Sequence, residues 1–349
     1  MEKSYQKDQF ITDIFYGETL KKSINFSASP KQHVIILTNQ KYYDRSFEKI
    51  NQLFKSAEEI DWYVCRNQTY CNNLEELMNL LHFLERFPQN RQYLFCAYGN
   101  EGVMQLTGFL AQTTILPSHY WCLPVSVRSL AKALLVEQAI MKQNNQVLLQ
   151  VKNLPQAIYF DQTLTEAQQD GKLVDLLIFI RVGIVCDYHF LQNLYLNFPD
   201  QHRVYRRSFA ALIPELIHYY AHSSEIETFG KLFETAFYQT ENGHLLSANM
   251  KRLFGILFHL FWSDANNALH FNLKNFLIWF NHLGYPITLP AQISLTDYQL
   301  QVLAQGQKQE PLTVLAEIGK ISTHKEVTLQ TLQQAITNYQ VILKEISES

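Results

Sequence analysis

The chain has 349 residues, 47% of them hydrophobic, and a formal net charge of −3 from 29 Lys and Arg against 32 Asp and Glu. A single core seldom grows beyond about 250–300 residues, so two domains are expected. No Lys/Arg block supplies the basic stripe that nucleic acid or an anionic membrane surface requires, and both partner classes are set aside.

The N-terminus, MEKSYQKDQF, has no apolar leader core, and the greasiest run, Leu253–Trp262, is far short of the roughly 20 residues that cross a bilayer. Cys65, Cys71, Cys96, Cys122 and Cys186 form neither a CxxC pair nor a disulfide framework. A cytoplasmic chain with reduced thiols is predicted.

In chain order, His33–Thr38, Asp61–Cys65, Gln92–Ala97 and Tyr120–Leu123 are β-rich runs separated by helical segments. Asp44–Ser56 carries Phe47, Ile50 and Leu53 at helical spacing, and Asn73-Leu74-Glu75-Glu76 opens the next helix as a capping box. Such alternation predicts a parallel, Rossmann-like sheet, to which Gln146–Val151 and Ala157–Phe160 add strands. The polar stretch Asp161–Gly171 reads as a linker, dividing an α/β domain, 1–165, from a mostly helical domain, 166–349. In the latter, helical periodicity covers Leu173–Cys186, Tyr188–Asn197, Ser208–His222, Phe229–Tyr238, Leu245–Trp262, Asn272–Leu283 and Leu329–Ile346, with a brief strand at Leu312–Leu315. The stripe Phe254, Phe258, Phe261, Trp262, Phe276, Trp279 and Phe280 is expected to be core.

Glycine numbers only 12, roughly half the average usage of about 7%. Phosphate-cradling turns need glycine for close backbone approach, so the shortage argues against a tight dinucleotide site.

Three segments carry a resemblance: AYGNEGVMQLTGFLA after the third predicted strand, HYWCLPVSVRSLAKA, and LPQAIYFDQTL. In order and spacing they resemble 3-dehydroquinate synthases of the sugar-phosphate cyclase superfamily. Gly99-Asn100-Glu101 matches the family's glycine triplet, Gln105 its following Asp, Leu123-Pro124-Val125-Ser126 its Val-Pro-Thr-Thr, and Leu315–Lys320 its final strand and turn. The resemblance implies an α/β domain followed by an all-helical one, with the active site in the cleft between them.

It also implies NAD and one zinc, held by Glu, His and His with one open position to polarise the substrate. At the matched positions stand Ile178, Ile256 and His270, while the second His of the Gly-His-Thr-Phe-Gly-His motif falls at Leu260. His270 is thus a lone remnant ligand, and zinc is not expected to bind. The phosphate-holding positions fall at Leu116, Gln138, Gln146 and Val147; the Asp and Lys of Asp-Ser-Ser-Val-Gly-Gly-Lys fall at Lys132 and Gln138; and the Asp-Lys-Lys near the C-terminus reads Val302-Leu303-Ala304. On the nucleotide side Asn39 and Gln68 keep neutral hydrogen-bonding capacity toward a ribose. Gly99 and Gly102 keep backbone donors, so NAD is expected to bind weakly at best.

Lys132 and Arg181 are the catalytic candidates, as new anion ligands, with pairing to carboxylates such as Glu137 or Asp175 as the alternative. His218 and His222 share a helical face with Glu225 and Glu227 following, a spacing that chelates metal but has no base between the two. The resemblance therefore implies a dehydroquinate synthase-like protein that has lost its zinc and phosphate sites and acts as a binding or partner subunit. It would pair with itself or with an active homologue. The alternatives are a divergent cyclase or lyase with relocated ligands and a nucleotide or small-molecule sensor.

Overall fold

The N-terminal run that carries no strand pattern in sequence is a hairpin, β1 (Glu2–Lys7) and β2 (Phe10–Gly17), joined by a two-residue turn with Asp8 at φ 53°. The computed structural model describes residues 1–17, 32–66, 70–165, 169–308 and 310–348, so Gln68 lies outside it. The described chain divides into two compact units, Met1–Ala167 and Gln168–Ser349.

In the first unit the hairpin is followed by β3 (His33–Asn39), α1 (Gln40–Leu53), β4 (Glu59–Cys65), α2 (Leu74–Leu84), β5 (Tyr93–Gly99), α3 (Glu101–Thr113), β6 (Ser118–Pro124), α4 (Val127–Ala133), β7 (Glu137–Met141), β8 (Val147–Lys152) and β9 (Ala157–Asp161). Seven strands form one sheet in the order β1-β2-β9-β6-β5-β3-β4, parallel throughout except for the β1–β2 pair. β3 and β5 are buried at every position, as strands covered on both faces must be, which is why HVIILTN and YLFCAYG read as continuous apolar runs. Leu37, Tyr98 and Leu123 lie where these strands end, and α3, buried from Glu101 to Leu110, packs against β5, β6 and β7.

Two local expectations are corrected. At α2 only half of the capping box forms: Asn73 accepts the Glu76 amide at 3.0 Å, but Glu76 is buried and takes the Tyr63 hydroxyl at 2.6 Å instead of reaching back. Gln146–Val151 is the outer strand of a separate hairpin with β7, whose short run sequence periodicity passed over.

The second unit comprises α5 (Gln169–Cys186), α6 (Tyr188–Asn197), α7 (Gln201–Arg206), α8 (Ile213–His222), α9 (Glu225–Thr228), α10 (Lys231–Ala236), α11 (Ala248–Asn267), α12 (Leu273–His282), α13 (Leu295–Gly306), the hairpin β10 (Leu312–Glu317) and β11 (Lys320–Lys325), and α14 (Leu329–Ser347). It is not wholly helical, because β11, an exposed strand without an apolar run, pairs with β10 across a turn holding Gly319 at φ 81°. α11 is the axis, buried from Lys251 to Ser263. The seven aromatics of the predicted stripe are all buried. Among the described residues no helix is long and apolar enough to cross a membrane.

Candidate functional site

At the carboxyl end of the parallel sheet, β5 runs through Gly99 into α3, the strand-to-helix turn at which an α/β fold presents backbone N–H groups to a phosphate. Asn100 is the N-cap and its Oδ1 accepts the Val103 amide at 3.2 Å. Asn39, buried at the end of β3, points its Oδ1 at the Asn100 amide, 3.2 Å away, and its Nδ2 at the Arg66 carbonyl, 3.0 Å away. The Cys71 sulfur lies 3.9 Å from both side chains. Two of the amides an anion would need are therefore engaged by neutral side chains.

Gly99 is required by crowding within the chain, since a Cβ there would meet Val103 Cγ2 at 2.9 Å and Asn39 Oδ1 at 3.0 Å. Gly102 is buried in the first turn of α3, beside Glu101, a buried acidic residue at the positive end of the helix dipole. A second anion would meet like charge and occupied donors. These residues do not fit a tightly held pyrophosphate.

Four positions further along α3, Gln105 meets Gln138 of β7. Gln105 Nε2 donates to Gln138 Oε1 at 3.2 Å and Gln105 Oε1 accepts the Ala139 amide at 3.0 Å. Gln138 Nε2 donates to the carbonyls of Leu135 and Asn153, at 2.6 and 3.2 Å. The pair is buried, and Gln138 lies against Gly108, where a Cβ would meet its Oε1 at 2.6 Å. Positions that the resemblance gives to an Asp and a Lys are here one saturated, neutral amide pair. Lys132 is half-buried in the last turn of α4. Leu116 is buried and Val147 exposed.

In the second unit Ile178 of α5 and Ile256 and Leu260 of α11 are buried to 2%, 1% and 0% exposure, in aliphatic core. His270 is exposed between α11 and α12. It lines a cavity of about 970 Å³ with His189, His282, Tyr195 and Trp279. Zinc demands Cys, His or carboxylate donors, so the residues at the matched positions do not fit it. Val302, Leu303 and Ala304 lie on α13.

Arg181 pairs with neither Glu137 nor Asp175 at contact distance. Its guanidinium meets Glu227, with the Tyr220 hydroxyl 3.2 Å away and itself donating to Glu227 at 2.7 Å. Burial works against the charge, but the Glu227 carboxylate outweighs it and Arg181 stays firmly protonated. The His218, His222, Glu225, Glu227 cluster is correspondingly dispersed. Glu227 serves Arg181, Glu225 takes the Thr313 hydroxyl, and the exposed His222 bonds the His218 carbonyl at 2.7 Å. Among the described residues no three His, Cys, Asp or Glu come together as a metal site.

Sequence periodicity gave no role to His259, one residue before Leu260. It is fully buried, its Nδ1 accepts the Gly230 amide at 2.7 Å, and its Nε2 reaches the Thr313 carbonyl at 2.7 Å, which assigns the Nε2–H tautomer. It stacks on Phe229 at 4.0 Å, and burial pushes its pKa down to about 4. α11 thus uses its imidazole as a neutral brace between the α10 entry loop and β10.

No protein-family profile matches the chain. It is 20% identical to the 3-dehydroquinate synthase of Listeria welshimeri over 352 aligned positions, covering 95% of this chain and 94% of that one. Among solved structures it superposes on 2-deoxy-scyllo-inosose synthase complexed with carbaglucose-6-phosphate, NAD+ and Co2+, with a TM-score of 0.78 at 11% identity and 96% and 99% coverage. It also matches 2-epi-5-epi-valiolone synthase from Streptomyces hygroscopicus with NAD+ and Zn2+ bound, with a TM-score of 0.79 at 12% identity and 96% and 98% coverage. At such identities the structural likeness speaks for the fold alone.

Proposed function

We propose that this chain, a member of the dehydroquinate synthase-like family with the sugar-phosphate cyclase fold, no longer performs metal- and NAD-dependent cyclisation and acts as a binding or partner subunit. The observation that carries the reading is the pair Ile178 and Ile256, core residues where the resemblance calls for two of three zinc ligands. Aliphatic side chains neither ligate a metal nor polarise a substrate oxygen. The neutral Gln105–Gln138 pair and the amides occupied at the start of α3 support it from the first unit.

A partner role is supported by β8. Its outer edge is unpaired among the described residues, and it carries Val147, Leu148 and Leu149 exposed to 50%, 39% and 44%. An apolar edge strand is a ready template for pairing with another chain, either a second copy or an active homologue.

The test joins metal content to turnover. Protein purified without chelator is expected to hold well under one zinc per chain and to release no phosphate from the linear heptulosonate phosphate substrate of dehydroquinate synthases. Zinc-dependent release above a heat-killed control, abolished by His270→Ala, refutes the proposal.

A further inference from the structure

A second concavity lies in the first unit at the amino ends of the parallel strands, the opposite end of the sheet from Gly99 and the start of α3. It encloses about 320 Å³, room for about ten water-sized groups. Its wall is a continuous run of rings from four separate elements. Phe15 of β2 stacks on Tyr159 of β9 at 4.9 Å and 10°, Tyr159 meets Trp121 of β6 at 5.3 Å and 59°, and Trp121 meets Phe54, just after α1, at 6.5 Å and 33°. The indole is oriented by its Nε1–H, which donates to Gln156 Oε1 at 3.0 Å.

The charge in this lining has one sign. Asp13 lines the cavity, and among the described residues its carboxylate takes no hydrogen bond or ion pair; no described lining residue is Lys or Arg. His119 also lines it, and burial lowers its pKa, keeping the ring neutral near pH 7. The Asp13 carboxylate acts on the wall itself, since burial first and then nearby negative groups, Asp13 among them, push the Tyr159 hydroxyl up to about 12.

We infer that this cavity is a binding site for a small organic ammonium ion, held by the faces of Trp121, Tyr159, Phe15 and Phe54 and by the Asp13 carboxylate. A cation over aromatic faces gains from the ring quadrupoles, and it gains more where water is partly excluded. The cavity is too small for a nucleotide, whose phosphates would also meet Asp13 with no cationic partner. The inference stands independently of the proposed function, because it involves neither the α3 turn nor the second unit.

Choline and its uncharged carbon isostere, 3,3-dimethyl-1-butanol, have the same shape and separate charge from apolar filling. Calorimetric or ligand-observed NMR titration is expected to show saturable choline binding, with the isostere about tenfold weaker or more. Asp13→Asn, at an exposed position that leaves the core intact, weakens choline binding several-fold without changing the isostere. Trp121→Leu removes choline binding while the thermal transition persists. Equal affinity for the two probes, no saturable choline binding, or an Asp13→Asn protein that binds choline as the parent does would each overturn the inference.

Discussion

Acidification should find the second unit's weak point at His259. In the native state this imidazole accepts the Gly230 N–H through Nδ1 and donates to the Thr313 carbonyl through Nε2, so it has no lone pair for a proton without breaking a buried bond. Burial holds its pKa near 4, against 6.5 when unfolded. Above the unfolded value neither state binds the proton and the linkage is silent. As pH falls below 6.5 the unfolded chain takes up a proton that the native chain refuses, and stability declines until the native value is passed. A 2.5-unit difference at 1.36 kcal/mol per unit gives a loss of about 2 kcal/mol at pH 5 and about 3 kcal/mol at pH 4.

The chain has 12 histidines, so the measurement is a difference. Urea unfolding of the parent and of His259→Gln is followed from about pH 7.5 to about pH 5. The variant is less stable at neutral pH because the stack on Phe229 is lost. Its deficit should shrink by about 2 kcal/mol on acidification, because the variant no longer carries the linkage; in a unit of this size that corresponds to about 4–8 °C in melting temperature. A deficit that stays constant across the range refutes the tautomer assignment and the neutral brace, as does an imidazole resonance of His259 that titrates near 6.5.

Two further outcomes follow from the sites described above. A ligand bound only to the native state at 100 times its Kd stabilises by about 2.7 kcal/mol; millimolar NAD should give no such shift, and a shift of several degrees that Gly99→Val removes would mean the α3 turn still holds a nucleotide. Gly255→Ala on α11 sets a methyl 2.7 Å from the Gly230 carbonyl and 2.8 Å from the Glu234 amide, so it should destabilise by about 1–3 kcal/mol in chemical denaturation, and an unchanged midpoint would contradict that close approach.

Much of the architecture was legible because local periodicity and burial coincide. A strand covered on both faces must be apolar throughout, so HVIILTN announced β3 without help from the rest of the chain. A long amphipathic or fully apolar helix likewise announces itself at 3.6-residue spacing, as α6, α11 and α14 did. The segments that escaped, β1, β2, β7 and β11, are short or exposed, and they become strands because a neighbour supplies the hydrogen bonds. The absence of a metal donor at Ile178 and Ile256 could also be read directly, since side-chain chemistry is written in the residue type.

What side chains meet belongs to the tertiary structure. Gln105 and Gln138 are 33 residues apart, and that they neutralise and saturate each other depends on α3 lying across β7. Arg181 finds Glu227, 46 positions away, because α5 packs beside α9, and so the carboxylates nearer in sequence are passed over. Asn39 closes the start of α3 only because β3 and β5 are adjacent in the sheet. Each of these contacts is made over long sequence separations by strand and helix packing, where the energy of burying a polar group is settled by the one partner that the fold brings within about 3 Å.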